Sequence, residues 1–416
     1  MPRPEQSAGP FRFRDFRFQW AADLATSWAA EMEIIILGWY VLVETGSVLL
    51  LTAFGGLQYL GTLIAPAFGV AGDRMGHRNV LCAMRASYVL LAGALAIGLL
   101  AGAAGPLLVF VVATLAGIIR PSDLVMRNAL IGAIIPHGQL MAAVSISRTT
   151  SDSARIAGAL VGTGLVAAVG MGTAYLAIVG LYAASTVLTL FVRIRHARPV
   201  AVAGGPAGPS PWRDIRDAAA YVARTPALLA AMTLAFLVNV TALPIFLGLL
   251  PYVARDVYHL DQAWLGYLVA SFSGGALVSS IALGVSRRGI PAARTMIVCG
   301  VLWYGSIVAL ALAGSAVDAL LILALCGFLQ NLCMVPMSVV LLRVADASFR
   351  GRVMGLRVLA VYGLPLGLIA SGPIIDRFGF AAMSTVYGIS GALLTVLVGL
   401  YWRRHVWLRN VPANMH

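Results

Sequence analysis

The sequence predicts an all-α integral membrane protein with twelve transmembrane helices in two pseudo-symmetric six-helix bundles. Apolar residues make up 60% of the 416 positions, and charged residues only 11%. Ordinary soluble domains carry roughly 25% charged residues. The apolar residues also fall into long runs, and about 20 consecutive apolar residues are enough to cross a bilayer as a helix.

Twelve apolar runs are separated by turn residues, glycines and arginines, and each run is predicted to be one span. Their predicted bounds are Phe18–Val43, Val48–Ala71, Val80–Ala101, Leu107–Met126, Leu140–Val169, Thr173–Val192, Leu228–Val253, Trp264–Val285, Thr295–Leu312, Ala319–Leu342, Met354–Ile375 and Ala381–Tyr401. No catalytic or nucleotide-binding motif interrupts them. We therefore expect neither an enzyme nor a protein with a cofactor or metal ion.

The chain divides into residues 1–193, a linker at 194–225, and residues 226–416. The linker is rich in Pro, Gly and Ala, and P-W-R-D-I-R-D-A-A-A-Y-V-A-R (211–224) predicts an amphipathic helix on the membrane surface. The two halves resemble each other weakly, since I-P-H-G-Q-L-M-A-A-V (135–144) aligns with S-F-R-G-R-V-M-G-L-R (348–357) and places Met141 opposite Met354. Internal repeats of this kind are common in secondary transporters.

Arginines mark the predicted cytoplasmic side of the membrane, since basic residues concentrate in cytoplasmic loops. If both termini are inside, most arginines fall in inner loops, and only Arg255 and Arg377 lie outside. The net charge of +13 is spread over these loops rather than clustered on one face, so we expect no nucleic-acid partner. The predicted location is a bacterial inner membrane, with the protein a monomer in the lipid bilayer.

A Gly-rich charged loop, G-V-A-G-D-R-M-G-H-R (69–78), joins the second and third spans. It closely resembles the loop signature of major facilitator superfamily transporters. T-G-S at Thr45–Ser47 and R-G-R-V-M-G-L at Arg350–Leu356 are similar to the bacterial enterobactin and macrolide exporter branch. The resemblance implies a cytoplasmic gate in which Asp73 pairs with a base near the inner end of the fourth span. We expect that gate to contain Gly69, Asp73, Arg74, Gly76, Arg78 and Arg127.

Ionisable side chains inside spans are costly and mark functional sites by default. Glu31 lies near the middle of the first span, and burial favours the protonated form of a carboxyl group. Glu31 is therefore the predicted proton-coupling residue, although pairing with a buried arginine is an equal alternative. For Glu33 and Asp23 we expect such pairing. Gly158 and Gly162 predict close helix packing, although the antiporter signature of this span has Ala159 in place of its proline.

Charged residues on one helix face suggest local neutralisation, as in Arg120 with Asp123 and in Arg148 with Asp152 and Arg155. A cross-helix network between Glu31 and Arg120 or Arg148 is a further possibility. The substrate cavity is predicted to be lined by polar and charged residues of both halves: Arg120, Arg148, Asn239, Gln330, Asn331, Arg357 and Tyr362.

These features predict a secondary transporter. The resemblance to the exporter branch implies that it couples proton entry to export of a small amphipathic organic compound, such as a drug or siderophore-like metabolite. Its partners are then protons, a small-molecule substrate and the bilayer. Two alternatives stay open. One is an importer or facilitator of an organic anion, with Arg120, Arg148 and Arg357 as anion contacts. The other is a lipid flippase or a membrane receptor that transports nothing.

Overall fold

The computed structural model describes residues 9–62, 64, 68, 71–72, 74–193, 211–285, 291–346 and 349–406. Helices and the turns that join them make up this part of the chain, and it contains no strand. The chain divides into two compact units. The first comprises Met1–Val200 and Pro251–Ala270, and the second comprises Ala201–Leu250 and Ser271–His416.

Six α-helices of ten or more residues lie within the described part of residues 9–193 of the first unit. They are α1 (Arg14–Thr45), α2 (Val48–Leu57), α3 (His77–Leu100), α4 (Pro106–Ile134), α5 (His137–Val169) and α6 (Met171–Leu190). Helix α1 is central, because it packs against α2, α4, α5 and α6. Its contacts include apolar side chains such as Ile36 and Val41, which are completely buried.

The second unit contains α7 (Pro211–Arg224), α8 (Pro226–Thr241), α10 (Ala292–Ala311), α11 (Ala316–Val344), α12 (Arg350–Ala360) and α13 (Gly363–Tyr401). Helix α9 (Gln262–Val285) crosses from the first unit to the second along the chain. Within the second unit, α10 packs against α11 and α13, and α8 packs against α13.

Nine helices of the described chain are long and apolar enough to cross a membrane, or ten if α7 and α8, which meet at a 112° bend, form one span. The number is consistent with the twelve spans predicted. The 52-residue stretch Arg350–Tyr401 counts once among the nine, yet Gly379 breaks it with a φ of 82° and a ψ of 166°. The predicted second span begins with the shorter apolar helix Val48–Thr62.

The T-G-S tripeptide forms the turn between α1 and α2. Thr45 ends α1, and Gly46 adopts a left-handed conformation with φ 61° and ψ 8°, which glycine tolerates without steric cost. The Ser47 hydroxyl then accepts a hydrogen bond from the Leu50 amide at 3.3 Å and caps α2. The glycine and serine of the T-G-S tripeptide are therefore explained by the turn and the helix cap that they form.

Glycine contacts recur in equivalent places in the two units. In the first unit, a Cβ at Gly158 would meet Glu31 Cβ at 2.8 Å, so α5 lies directly against α1. Helix α13 makes the same kind of approach to α8, where a Cβ at Gly363 would lie 2.9 Å from the Phe236 carbonyl oxygen. The close packing predicted for the fifth span is confirmed, and small residues four apart carry it in both units.

Candidate functional site

Four buried ionisable side chains form a cluster between α1, α3 and α4. Arg85 contacts the Asp23 carboxylate, and Arg127 Nε lies 3.2 Å from the same Asp23 oxygen, Oδ1. Arg127 Nη2 donates to Asp123 Oδ2 at 2.7 Å, and Arg85 Nε is 3.8 Å from Asp123 Oδ1. The four residues are 0–6% exposed. Two acids thus neutralise two bases, as a charge cluster in a low-dielectric interior requires.

Polar neighbours complete this Asp23 cluster. The Thr189 hydroxyl of α6 accepts a hydrogen bond from Arg85, and Gln19 Nε2 donates to Asp23 Oδ1 at 2.7 Å. Arg127 Nη1 also donates to Ser27 Oγ at 3.1 Å. The cluster therefore joins four helices through charged hydrogen bonds.

Glu33 is the centre of a second cluster. Its Oε2 accepts from Arg120 Nη2 at 2.8 Å and from the Tyr182 hydroxyl at 2.9 Å, and its Oε1 accepts from the Tyr175 hydroxyl at 2.7 Å. Arg120 Nη1 donates to Gln58 Oε1 at 2.8 Å. Glu33 is 4% exposed, so a carboxylate in this position needs these three donors.

Glu31 has a more open environment. Arg155 Nε of α5 lies 3.6 Å from Glu31 Oε1, and the two side chains are 42% and 23% exposed. Among the acids of α1, Glu31 is thus the one that lies within the predicted span, is partly exposed and has a single long ion pair.

These contacts decide several predictions made from spacing. Asp23 and Glu33 pair with buried arginines, as predicted. The expected pairing of Arg120 with Asp123 is wrong, because Arg120 reaches across to Glu33 on α1 while Asp123 binds Arg127.

The cross-helix network proposed for Glu31 with Arg120 or Arg148 is also wrong, since the partner of Glu31 is Arg155. Arg148 pairs along its own helix with Asp152 at 3.6 Å, as its spacing suggested, with side chains 79% and 48% exposed. Its guanidinium is therefore outside the interior of the unit.

The gate residues are only partly described. Gly69 and Asp73 lie outside the described residues, so the pairing of Asp73 with Arg127 stays a prediction. Gly76 precedes α3 with a φ of 87°, a backbone conformation that favours glycine. Arg74 is exposed, and Arg78 donates to the carbonyl oxygens of Thr189 and Leu190 at the end of α6. Cationic groups are favourable at that end of a helix.

The predicted cavity residues of the second unit are polar groups on α8, α11, α12 and the turn after it. Asn239 Nδ2 donates to its own helix at the Ala235 carbonyl oxygen (2.8 Å), and Asn331 Nδ2 donates to the Ala276 carbonyl oxygen of α9 (3.1 Å). Arg357 Nη1 donates to Ser338 Oγ at 2.6 Å. Gln330 and Tyr362 are half-buried.

An aromatic stack fills the interior of the second unit. The Phe246 ring stacks on Phe272 with centroids 4.4 Å apart. The fully buried Trp303 ring also stacks on Phe246, with centroids 6.0 Å apart. Tyr304 shares a 2.7 Å hydrogen bond with the Thr241 hydroxyl. These interactions involve no ionised side chain, in contrast to the clusters of the first unit.

Arg85, Tyr175 and Tyr182 belong to the ionic clusters, but reasoning from the sequence did not identify them. Arg85 carried a usable signal, because an arginine inside the third apolar run must find a partner. The two tyrosines carried none, since tyrosine is common at membrane interfaces. Their hydroxyls are recognisable as ligands of Glu33 only from the packing of α6 on α1.

Long apolar helices with neutralised ion pairs buried between them define a multi-pass membrane protein. The profile described as Major Facilitator Superfamily matches residues 24–365, and the chain belongs to this superfamily. It is accordingly a membrane transporter, a carrier of small molecules rather than an enzyme. A comparison with curated protein sequences finds no significant match.

Solved transporter structures share the fold at low sequence identity. A bacterial homologue of the human lysosomal transporter Spinster, in an inward-facing and unoccupied conformation, has a TM-score of 0.71 at 12% identity, covering 98% of this chain and 100% of that one. The nucleoside transporter NupG gives 0.66 at 15%, covering 95% and 100%. The human organic anion transporter MFSD10 gives 0.63 at 16%, covering 94% and 100%. These similarities establish the fold alone.

Proposed function

We propose that this protein is a proton-coupled secondary transporter that exports a small amphipathic organic compound by alternating access. Residues 1–193 and 226–416 act as two rocking halves joined by the linker at 194–225. Both termini are cytoplasmic in this proposal, in a bacterial inner membrane. The distribution of arginines supports that orientation, and the likeness of the R-G-R-V-M-G-L string to the exporter branch supports the direction.

Glu31 is the proton-coupling residue in this proposal, and its contrast with Asp23 and Glu33 carries the argument. Asp23 and Glu33 are at most 4% exposed and each has several charged or hydroxyl partners. Protonating Asp23 would leave a buried arginine without its counter-charge, which is strongly unfavourable, and protonating Glu33 would leave Arg120, 19% exposed, without its ion-pair partner. Glu31 has one ion pair at 3.6 Å, and its partner Arg155 is 42% exposed. A proton on Glu31 therefore releases a guanidinium that solvent can reach.

The release of Arg155 is the event that links the proton to conformation. Arg155 and Gly158 both lie on α5, and Gly158 places α5 directly against α1 at Glu31. Loss of the ion pair removes the charged contact between these two helices while their small-residue contact remains. Protonation can thus shift the equilibrium between an arrangement of the helices that contains the Glu31–Arg155 ion pair and one that lacks it, because it removes the stabilisation of the first arrangement only.

The experiment uses purified protein in proteoliposomes. Probes are chosen first by thermal stabilisation from ethidium, alanyl-alanine, uridine and fluorescein, since a ligand of the folded state raises its apparent melting temperature. One pH unit across the membrane corresponds to about 1.4 kcal/mol per proton, so a neutral probe should accumulate up to about tenfold with one proton exchanged. Glu31→Gln should abolish this accumulation while exchange of labelled for unlabelled probe continues.

The matched control is Glu44→Gln, the same change at an exposed acid near the end of α1. It should keep accumulation at the wild-type level. Uphill accumulation by Glu31→Gln refutes the assignment of the proton to this residue. Accumulation in the direction of the proton flux contradicts export and indicates a symporter. Selective stabilisation by fluorescein favours the organic anion alternative.

A further inference from the structure

An apolar groove lies in the second unit between three helices. Its volume is about 350 Å³, at the lower end of the range for small-molecule sites. All nine of its lining residues are apolar: Ala219, Val222 and Ala223 of α7, Leu229, Met232 and Phe236 of α8, and Leu356, Leu359 and Ala360 of α12. The groove is open, as Phe236 is 45% exposed and Leu359 is 36% exposed.

Helix α7 is held in place beside this groove by specific contacts to the segment before α12. The Tyr221 ring stacks on Phe349 with centroids 4.4 Å apart, and its hydroxyl donates to Asp346 Oδ2 at 3.0 Å. The Arg352 guanidinium lies over the same Phe349 ring, 5.4 Å from its centroid. The groove is thus formed by a fixed arrangement of α7 and α12.

Arginines are neighbours in sequence of groove-lining residues on both of these helices. Arg224 follows the lining residue Ala223, and Arg357 follows the lining residue Leu356, while Arg352 lies one turn before Leu356. Arg216 and Arg224 are exposed. Basic residues on an amphipathic helix attract anionic headgroups, each by about 1 kcal/mol near a membrane surface.

We propose that this groove binds an acyl chain of an anionic phospholipid whose headgroup is held by the exposed Arg224 at the end of α7. Two independent features select this ligand. The lining offers no polar group, so it suits a hydrocarbon chain, and the exposed Arg224 follows the lining residue Ala223, so it suits a negatively charged headgroup. The 112° bend between α7 and α8 supports this geometry, because a surface helix and a spanning helix meet at such an angle where headgroups and chains also meet.

The test measures the apparent melting temperature of the full chain in detergent, titrated with phosphatidylglycerol or with phosphatidylcholine of identical chains. Phosphatidylglycerol should stabilise the wild type saturably and more strongly than phosphatidylcholine. Native mass spectrometry should count one tightly retained phosphatidylglycerol. Equal stabilisation by both lipids, or no retained lipid, overturns the proposal.

Two pairs of variants separate the chain site from the headgroup site. Ala219→Phe fills the groove and should raise the half-saturating phosphatidylglycerol concentration at least about tenfold, because the groove can then no longer bury about two methylene groups of the acyl chain. Ala220→Phe, at the exposed neighbour that does not line the groove, should bind as the wild type does. Arg224→Gln should remove the preference for phosphatidylglycerol, while Arg377→Gln, an exposed arginine of α13, should keep it.

Two outcomes would show that something else fills the groove. A chain truncated after Val406 that binds phosphatidylglycerol when the full chain does not identifies the C-terminal residues as the occupant. If phosphatidylglycerol stabilises Ala219→Phe and Ala220→Phe equally, and the melting temperatures of both variants in phosphatidylcholine equal that of the wild type, the lipid binds outside the groove. Neither outcome depends on proton coupling, so the proposed transport activity is tested separately.

Discussion

Replacing Arg85 by methionine tests whether the Asp23 cluster stabilises the first unit through its charge balance. Arg85 is completely buried and contacts Asp23 and Thr189, with Asp123 3.8 Å away. Methionine keeps much of the side-chain volume but removes one positive charge. Arg127 then faces two carboxylates alone, and one buried negative charge has no counter-charge.

The expected cost follows from this count. Removing one partner of a buried ion pair destabilises proteins by about 3–5 kcal/mol, mostly because of the charge left behind. Exposed pairs contribute only about 0–1 kcal/mol. Arg148→Met breaks the pair with Asp152, whose side chains are 79% and 48% exposed, so it is the matched control. Arg85→Met should therefore lose several times more free energy of unfolding than Arg148→Met.

Equilibrium unfolding in mixed micelles with sodium dodecyl sulfate, followed by circular dichroism, measures both changes. Adding Asp23→Asn to Arg85→Met restores neutrality, because Arg127 and Asp123 then form one remaining pair. The double variant should recover part of the loss, with a coupling energy of about 0.5–3 kcal/mol. Equal losses for Arg85→Met and Arg148→Met, or no recovery in the double variant, would show that charge balance is not the source of stability.

Two further predictions concern helix packing. Gly117→Val places a side chain on the Leu57 carbonyl oxygen and should lower the apparent melting temperature sharply, whereas Gly180→Val, with open space around it, should change it little. In the second unit, Thr241→Val leaves the buried Tyr304 hydroxyl without its Thr241 partner, at about 1–3 kcal/mol. Tyr304→Phe should cost less for the hydrogen bond itself, because the Thr241 hydroxyl still donates to the Leu237 carbonyl oxygen at 2.8 Å, and the double variant should cost less than the sum of the two. Additive losses in that cycle would contradict the shared hydrogen bond.

The helices of this fold are largely predictable, because apolar runs of span length have few other solutions. Turns were also readable where backbone geometry dictates the residue, as at Gly46 with its left-handed φ of 61°. The break between the predicted spans Met354–Ile375 and Ala381–Tyr401 was also placed correctly, because Gly379 separates two helical stretches there. The backbone conformation of Gly379 itself was not predicted. A glycine in an apolar run does not by itself reveal its φ.

Ionic partners were predictable only in part, for a physical reason. Spacing along one helix shows which side chains share a face, and it correctly paired Arg148 with Asp152. Arg120 and Asp123 share a face equally well, yet Arg120 binds Glu33 because α4 packs against α1. Pairing across helices depends on which faces meet, and that information is tertiary. Burial then decides which of the possible pairs forms at all.

The two units differ in the chemistry of their buried polar groups, and this difference bears on how an ion gradient can act. Among the described residues, every buried aspartate, glutamate and arginine belongs to the first unit: Asp23, Glu33, Arg85, Asp123 and Arg127. The buried polar side chains of the second unit are hydroxyls and one amide, as at Thr241 and Asn239. Hydroxyl and amide groups do not change charge in the physiological range, so their hydrogen bonds are insensitive to pH. Because a proton can change helix packing only where it changes charge, we expect proton coupling to act through the first unit.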